Sequence, residues 1–252
     1  MTAHSLRRYL FNLPIDCLSL QETLDWIDKA IQKKEPRQHT VINAAKIVLA
    51  QKDTELKKSI LESDLINADG QPVVWAARWL GIPIKEKVSG SDLIVQLLKL
   101  AEKKQWRIFF LGAKSKTLER MIERLKKEYP TLQIAGSQDG YFAKEEAKPI
   151  AHRIKATKAD ILFVGMPTPK KENFIRDYKD IMQVPFSMGV GGTFDILAGQ
   201  VRRAPAWVQN IGCEWLFRLY QEPRRLWKRY LKTNTLFLYM VFRARLFPHK
   251  GS

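Results

Sequence analysis

Six short apolar runs, each closed by a glycine or polar turn and followed by a helical pattern, constrain the fold of this chain most. They occupy residues 39–42, 64–68, 106–111, 132–136, 160–164 and 186–190. Residues 19–34 open with Ser19 and Glu22 in capping-box spacing and carry Leu20, Leu24, Ile27 and Ile31 at helical spacing. Residues 44–50, 71–80, 91–104, 115–129, 144–155 and 168–180 read as further helices, with Pro72 at an early position where a helix tolerates it. Strands alternating with helices predict an α/β fold: a Rossmann-like, mainly parallel sheet with helices on both faces. Beyond Val201 the pattern is helical throughout. The chain therefore divides into a body, residues 1–200, and a basic, aromatic-rich helical appendage, residues 201–252, expected to face a membrane. No internal repeat of fixed period is visible.

Charge narrows the partners. The formal net charge is +17, and between residues 202 and 245 ten Lys or Arg stand against two acids, Glu214 and Glu222. Such a patch attracts phosphate polyanions, whether nucleic acid or lipid headgroups. Trp207, Trp215, Phe217, Tyr220, Trp227, Tyr230, Phe237, Tyr239 and Phe242 interleave with these cations. That mixture suits a bilayer interface better than a merely solvated helix face. The longest apolar run near the C-terminus, residues 236–242, is too short to span a bilayer. The first residues carry two arginines but no sustained apolar segment, so no secretory signal is expected. Cys17 and Cys213 make neither a disulfide framework nor a zinc site, which fits a reducing compartment.

In parallel sheets ligands lie beyond the carboxyl ends of the strands. Residues 40–46, 67–72, 165–173 and 189–195 place polar or glycine-bearing loops there, with residues 112–114 as a fifth wall. In the segment MGVGGTFDILAGQVRR, residues 188–203, a glycine-dense turn lets backbone N–H groups approach a phosphate or sugar. Asp69, at a strand end, reads as a general base or as the N-cap of the next helix. Asp195 reads as a ribose ligand or as a cap, and Tyr141 as a base-stacking ring or a core aromatic. His4, His39, His152 and His249 lack metal-ligand spacing, and neither an Asp-x-Asp pair nor a Cys/His cluster occurs. The turn at Gly189, Gly191 and Gly192 matches neither the dinucleotide nor the ATP fingerprint, which counts against a nucleotide-sugar epimerase.

The ordered segments INADGQPVVWAARWLG, FFLGAKSKT, DGYF, ILFVGMPTPKKENF, MGVGGTFDILAGQVRRAP and EWLFRLYQEPRRLWKRY resemble the WecG/TagA/CpsF glycosyltransferases over residues 13–234. The resemblance implies an inverting transferase needing neither metal nor cofactor. It would move a sugar, typically N-acetylmannosamine or its uronic acid, from a UDP donor. The acceptor would be an undecaprenyl-diphosphate-linked sugar on the cytoplasmic face of the membrane, in teichoic acid, common-antigen or exopolysaccharide synthesis. It implies that Asp69 is the general base, that Thr40 and Asn43 face acceptor or donor sugar, and that Tyr141 stacks on uracil. Asp195, Gly191 and Gly192 would contact the nucleoside. Lys87 and Lys171 stand where the family carries a basic residue and a glutamine. Lys171 would then favour an acidic donor or face solvent. Arg218, Arg225, Lys228 and Arg229 would close over the diphosphates. The implied location is peripheral, on the inner face of the cell membrane. Self-association in some members leaves a homo-oligomer open, and no nucleic-acid partner is expected. Two other classes compete with this one: a nucleic-acid-binding protein and a non-catalytic lipid-surface adaptor. Both explain the charge, but neither uses the glycine turn and Asp69.

Overall fold

The computed structural model describes residues 6–247. The chain opens with a hairpin that the apolar pattern did not announce: β1 (Arg7–Leu10) pairs antiparallel with β2 (Leu13–Asp16). Phe11 and Asn12 form its turn with φ of 53° and 60°, the left-handed pair a two-residue hairpin requires. A phenylalanine is an unusual residue there, so the usual turn signal is missing. Next comes α1 (Leu20–Lys33), where Ser19 and Glu22 make both hydrogen bonds of the capping box.

The expected rhythm follows: β3 (Arg37–Ile42), α2 (Ala44–Ala50), α3 (Thr54–Leu61), β4 (Leu65–Ala68), α4 (Gln71–Trp79), α5 (Gly90–Lys104) and β5 (Arg107–Gly112). It continues with α6 (Ser115–Glu128), β6 (Gln133–Gln138), α7 (Ala147–Ala156), β7 (Ile161–Gly165), α8 (Lys170–Met182) and β8 (Phe186–Gly189). Only α3, capped by Asp53, is an unexpected helix in that series. The chain then runs through α9 (Thr193–Leu197), α10 (Ala206–Asn210), α11 (Glu214–Gln221) and α12 (Pro223–Leu246).

Six strands form one parallel sheet in the order β4-β3-β8-β7-β5-β6. Its strands are apolar on both sides, as a sheet covered on both faces must be. Ile108, Phe110, Ile161, Phe163, Phe186 and Met188 share one core with residues of α1, α5 and α6. Phe109, Leu111, Leu162 and Val164 share another with α7 and α8. A third core joins Ile42, Ile66 and Ala68 to the hairpin and to α2, α3 and α4. Since α3 packs on α8, the third core lies on the α7–α8 face.

This arrangement creates a switch point. β3 and β8 are neighbours, yet α2 sends Ile47 and Val48 into the third core while α9 sends Phe194 into the first. The helices leave to opposite faces and open a crevice between the two strand ends, the usual ligand position in such sheets.

The 24-residue α12 lies along α2. Its Phe237 and Val241 are buried beside Ile47 and Val48. Phe237 also meets Phe11 at the hairpin tip, with ring centroids 6.1 Å apart, and Phe242 meets Trp79 of α4 edge-on at 5.4 Å. Among the described residues no helix is long and apolar enough to cross a membrane. Truncating Phe237 to alanine would empty a site shared by three elements. We predict a loss of about 3–5 kcal/mol, read as a lower urea midpoint with an unchanged slope; an unmoved midpoint would show that α12 unfolds independently of the body.

Candidate active site

Asp69 follows β4 directly, and its backbone N–H donates to the carbonyl of Ile42 in β3 (2.9 Å). The capping alternative does not hold. Gly70, at φ 94°, is the N-cap of α4, and no side chain caps that helix. A residue with a Cβ is strained at this φ, so the glycine makes the turn and the Asp69 carboxylate is left for the crevice. Its pKa is pushed up to about 6, first by burial and then by the carboxylate of Glu214, against the pull of Lys46, Lys87 and Arg218. Lys87 is held near it because the next residue, Val88, donates its N–H to the carbonyl of Ala68 at the end of β4 (2.9 Å).

Below this carboxylate lies a buried charge set. Lys46, in the first turn of α2, is 4% exposed; its Nζ donates to Thr40 Oγ1 (3.2 Å) and the Val41 carbonyl (2.6 Å), and pairs with Glu172 Oε1 at 2.8 Å. Lys171 pairs with the same oxygen at 3.0 Å and donates to Thr168 Oγ1. Burial alone would raise the carboxyl of Glu172, but the two ammonium groups outweigh it and bring it down to about 2. Lys171 is drawn down to about 8 by burial, with Glu172 holding it up. The carboxylate is thus ionised between two cations, and its second oxygen, Oε2, is buried without a hydrogen-bond partner. Lys171 is therefore no solvent-facing lysine. Its stem lies under β8, where a Cβ on Gly189 would come within 2.8 Å of its Cδ.

The other expected residues divide by position. Thr40 is buried in β3 and accepts from Lys46, while Asn43 caps α2 by accepting from the Lys46 N–H at 2.9 Å, which leaves its side-chain amide for a ligand. Gly191 turns the chain at φ 54° after β8. Beside it, a Cβ on Gly192 would lie 3.4 Å from Arg218 Nη2 and 3.6 Å from Asp195 Oδ2, so these three residues share one spot over the strand end. Asp195 sits in the first turn of α9, whose N-cap is Gly192. Thr40, Asn43, Asp69, Lys87, Lys171, Gly191, Gly192, Asp195 and Arg218 thus line the ends of β4, β3 and β8.

Tyr141 follows β6, the opposite edge strand, and is 71% exposed, which removes the core reading of its ring. Lys228 and Arg229 are exposed on α12, placed over the rings of Trp227 and Tyr230 at 5.5 and 5.0 Å. The side chain of Arg225 lies outside the described residues, as do His4 and His249. His39 is buried in β3 beside Asn67 (Nε2 to Oδ1, 2.9 Å), and burial lowers its pKa to about 4, so it is neutral. Among the described residues no three His, Cys, Asp or Glu side chains gather as a metal-holding group.

A family model, described as the glycosyl transferase WecG/TagA/CpsF family, matches residues 8–251. The chain belongs to that family. A relative from Bacillus subtilis (strain 168), named N-acetylglucosaminyldiphosphoundecaprenol N-acetyl-beta-D-mannosaminyltransferase, is 32% identical over 223 residues, 88% of this chain and 86% of its own length. A protein of the same name from Bacillus spizizenii is 36% identical over 175 residues, 69% of this chain and 67% of its own. The chain is therefore a glycosyltransferase by family, and the residues around Asp69 are its candidate site.

Three charged residues of this candidate site in the glycosyltransferase were not singled out by sequence reasoning. Lys46 and Glu172 stood inside loops that the strand pattern flagged, but a lone lysine or glutamate in a first helical turn reads as solvated. Glu214 stood in the basic appendage as one of only two acids between residues 202 and 245, and that isolation was the available signal.

Two stability predictions follow from the charges. Replacing Glu172 by glutamine strands Lys46 and Lys171, and should cost about 3–5 kcal/mol. Because the Glu172 carboxyl is lowered in the fold, that gap should persist above pH 4.5 and close as pH falls toward 2. Asp69 has the opposite sign: its raised pKa means that the folded protein loses stability as pH rises from about 4 through about 6. Asp69→Asn should therefore be more stable than wild type by about 2 kcal/mol at neutral pH, with the advantage vanishing near pH 4. Equal melting temperatures at pH 7.5 would contradict the raised-pKa account of Asp69.

Proposed function

We propose that this glycosyltransferase moves an N-acetylmannosamine-type sugar from a UDP donor to an undecaprenyl-diphosphate-linked sugar, inverting the anomeric centre. The observation that carries this reading is the Asp69 carboxylate, released from any capping duty, lifted to about pH 6 and set among cations at the switch point. The names of the two Bacillus relatives supply the substrate class.

In the proposed step the ionised Asp69 accepts the proton of the acceptor hydroxyl. The acceptor oxygen forms its bond to the anomeric carbon from the face opposite the leaving group. The bond from that carbon to the diphosphate oxygen breaks, and UDP departs with the electron pair. One displacement of this kind inverts the centre. Negative charge grows on the departing diphosphate, and preorganised cations in a water-poor cleft stabilise it best. Arg218 above Gly192, with Lys171 beneath the same turn, stands where that charge would develop, so the proposed step needs no metal. Thr40 and Asn43 line the sugar side, Asp195 the nucleoside side, and exposed Tyr141 offers a ring to the base.

A peripheral place on the inner face of the membrane fits the surface of α12, where Leu238, Tyr239, Phe242 and Leu246 are exposed beside Arg243 and Arg245. In that setting the product would enter teichoic acid or another cell-surface polysaccharide.

The test is UDP release by full-length protein with a short-chain diphospholipid-linked N-acetylglucosamine, across a panel of UDP-sugars in EDTA. One donor should support acceptor-dependent release, with kcat/KM falling about tenfold per pH unit below about 6. Asp69→Asn should lose about 10²–10⁴-fold in kcat while still binding UDP. Full turnover by that variant would remove Asp69 as the base.

A further inference from the structure

The cations around Asp69 come from several directions: Lys46 from α2, Lys87 from the segment before α5, and Arg218 from α11, with Lys171 of α8 interacting from below. Four cations facing one carboxylate favour its ionised form and would make it a weak base. One acid opposes them. Glu214, the first residue of α11, is half-buried and belongs to the C-terminal helices rather than to the sheet.

Contacts on either side of Glu214 place it over Asp69. Two residues before it, Gly212 packs against the first turns of α4 so closely that a Cβ would lie 3.1 Å from the Trp75 ring and 3.2 Å from Gln71 Cβ. Gln71 is two residues beyond Asp69. Gly212 also has a φ of 72°, so a larger residue would be strained there whatever the space. One helical turn beyond Glu214, and hence on the same face of α11, Arg218 reaches Gly192 at the end of β8. The start of α11 is therefore held at the end of β4 and its middle at the end of β8. Glu214 lies between these two fixed points, on the face turned to the crevice.

We propose that Glu214 is a positioning residue that keeps Asp69 basic: a second carboxylate, carried across the cleft by α11, that offsets the cations gathered for the diphosphate. This rests on the reading of Asp69 as the base. The logic is electrostatic. A cleft that binds a pyrophosphate must be cation-rich, and a cation-rich cleft weakens its own general base. A carboxylate beside the base, on the helix that also brings Arg218, resolves that conflict locally. It also makes base strength conditional on α11 being seated, since Glu214 and Arg218 arrive and leave together.

The deciding measurement is a ¹³C carboxyl NMR titration of the full-length protein, with the Asp69 signal assigned by its loss in Asp69→Asn. In wild type the midpoint should lie near 6. In Glu214→Gln it should fall by about half a pH unit or more, and in Glu214→Asp it should stay close to wild type. An unmoved midpoint in Glu214→Gln overturns the proposal. An equal fall in Glu214→Asp overturns it too, because the effect would then follow side-chain shape rather than charge. This titration needs no turnover, so the proposal and the transferase reading fail separately. Full transfer by Asp69→Asn would sink the role of Asp69 as base and leave the coupling of the two carboxylates measured. Where turnover is present, the acid limb of kcat/KM should move to lower pH in Glu214→Gln together with the NMR midpoint.

Discussion

The ion set of Lys46, Glu172 and Lys171 ties the switch-point edge of this protein together. Burying three charges costs several kcal/mol for each ion unless they compensate one another at close range. Here one carboxylate oxygen serves both ammonium groups, at 2.8 and 3.0 Å. The contacts add buried charge pairing to elements already joined by backbone pairing and packing. Lys46 brings α2 to Thr40 and Val41 of β3, Glu172 brings in α8, and the stem of Lys171 runs beneath Gly189 of β8. The two strands at the switch point, already paired through their backbones, are tied to α2 and α8 as well. The crevice between the strands has a rigid floor, which the proposed sugar-transfer site would need to hold a sugar in one orientation.

Above that floor the design runs against stability. A half-buried carboxylate with a raised pKa is a destabilising group at neutral pH, and such groups persist where chemistry needs them. Gly70 shows the same bias on a smaller scale: α4 begins without any side-chain cap, forgoing a few tenths of a kcal/mol relative to a capping residue. The compensation lies elsewhere in the fold. The hairpin is fastened to β4 by Asp16, which pairs with Arg7 at 2.8 Å and accepts from the Ile66 N–H at 2.8 Å. The end of β4 is thus braced just behind the residue that departs from the stability rules.

Much of this was legible in the sequence, and the gaps have physical causes. Runs of four to six apolar residues followed by 3.6-residue periodicity announced the parallel sheet, and Ser19 with Glu22 announced a capping box that the structure forms. The hairpin escaped because Phe11 and Asn12 occupy left-handed positions where glycine would have been the signal. Strand-end loops pointed to the edge where the structure gathers Asp69 and its cations, and Asp69 stood out within them. Whether it capped α4 depended on the φ of Gly70, which no composition rule supplies. The pairing of Lys46 with Glu172 joins two loops distant in the chain, and only their burial distinguishes them from solvated residues. For Lys171 the same burial leaves no solvent-facing role.

The packing of α12 against α2 changes how loss of the C-terminus is to be understood. α2 has only seven residues, too few to hold helical form by its own hydrogen bonds. It nevertheless carries the Asn43 cap and Lys46. The shape of this side of the crevice, the sugar side in the proposed reading, is therefore borrowed from a helix near the other end of the chain. A protein shortened before Phe237 would not be a soluble enzyme deprived of an anchor; it would be an enzyme with one wall of its crevice missing.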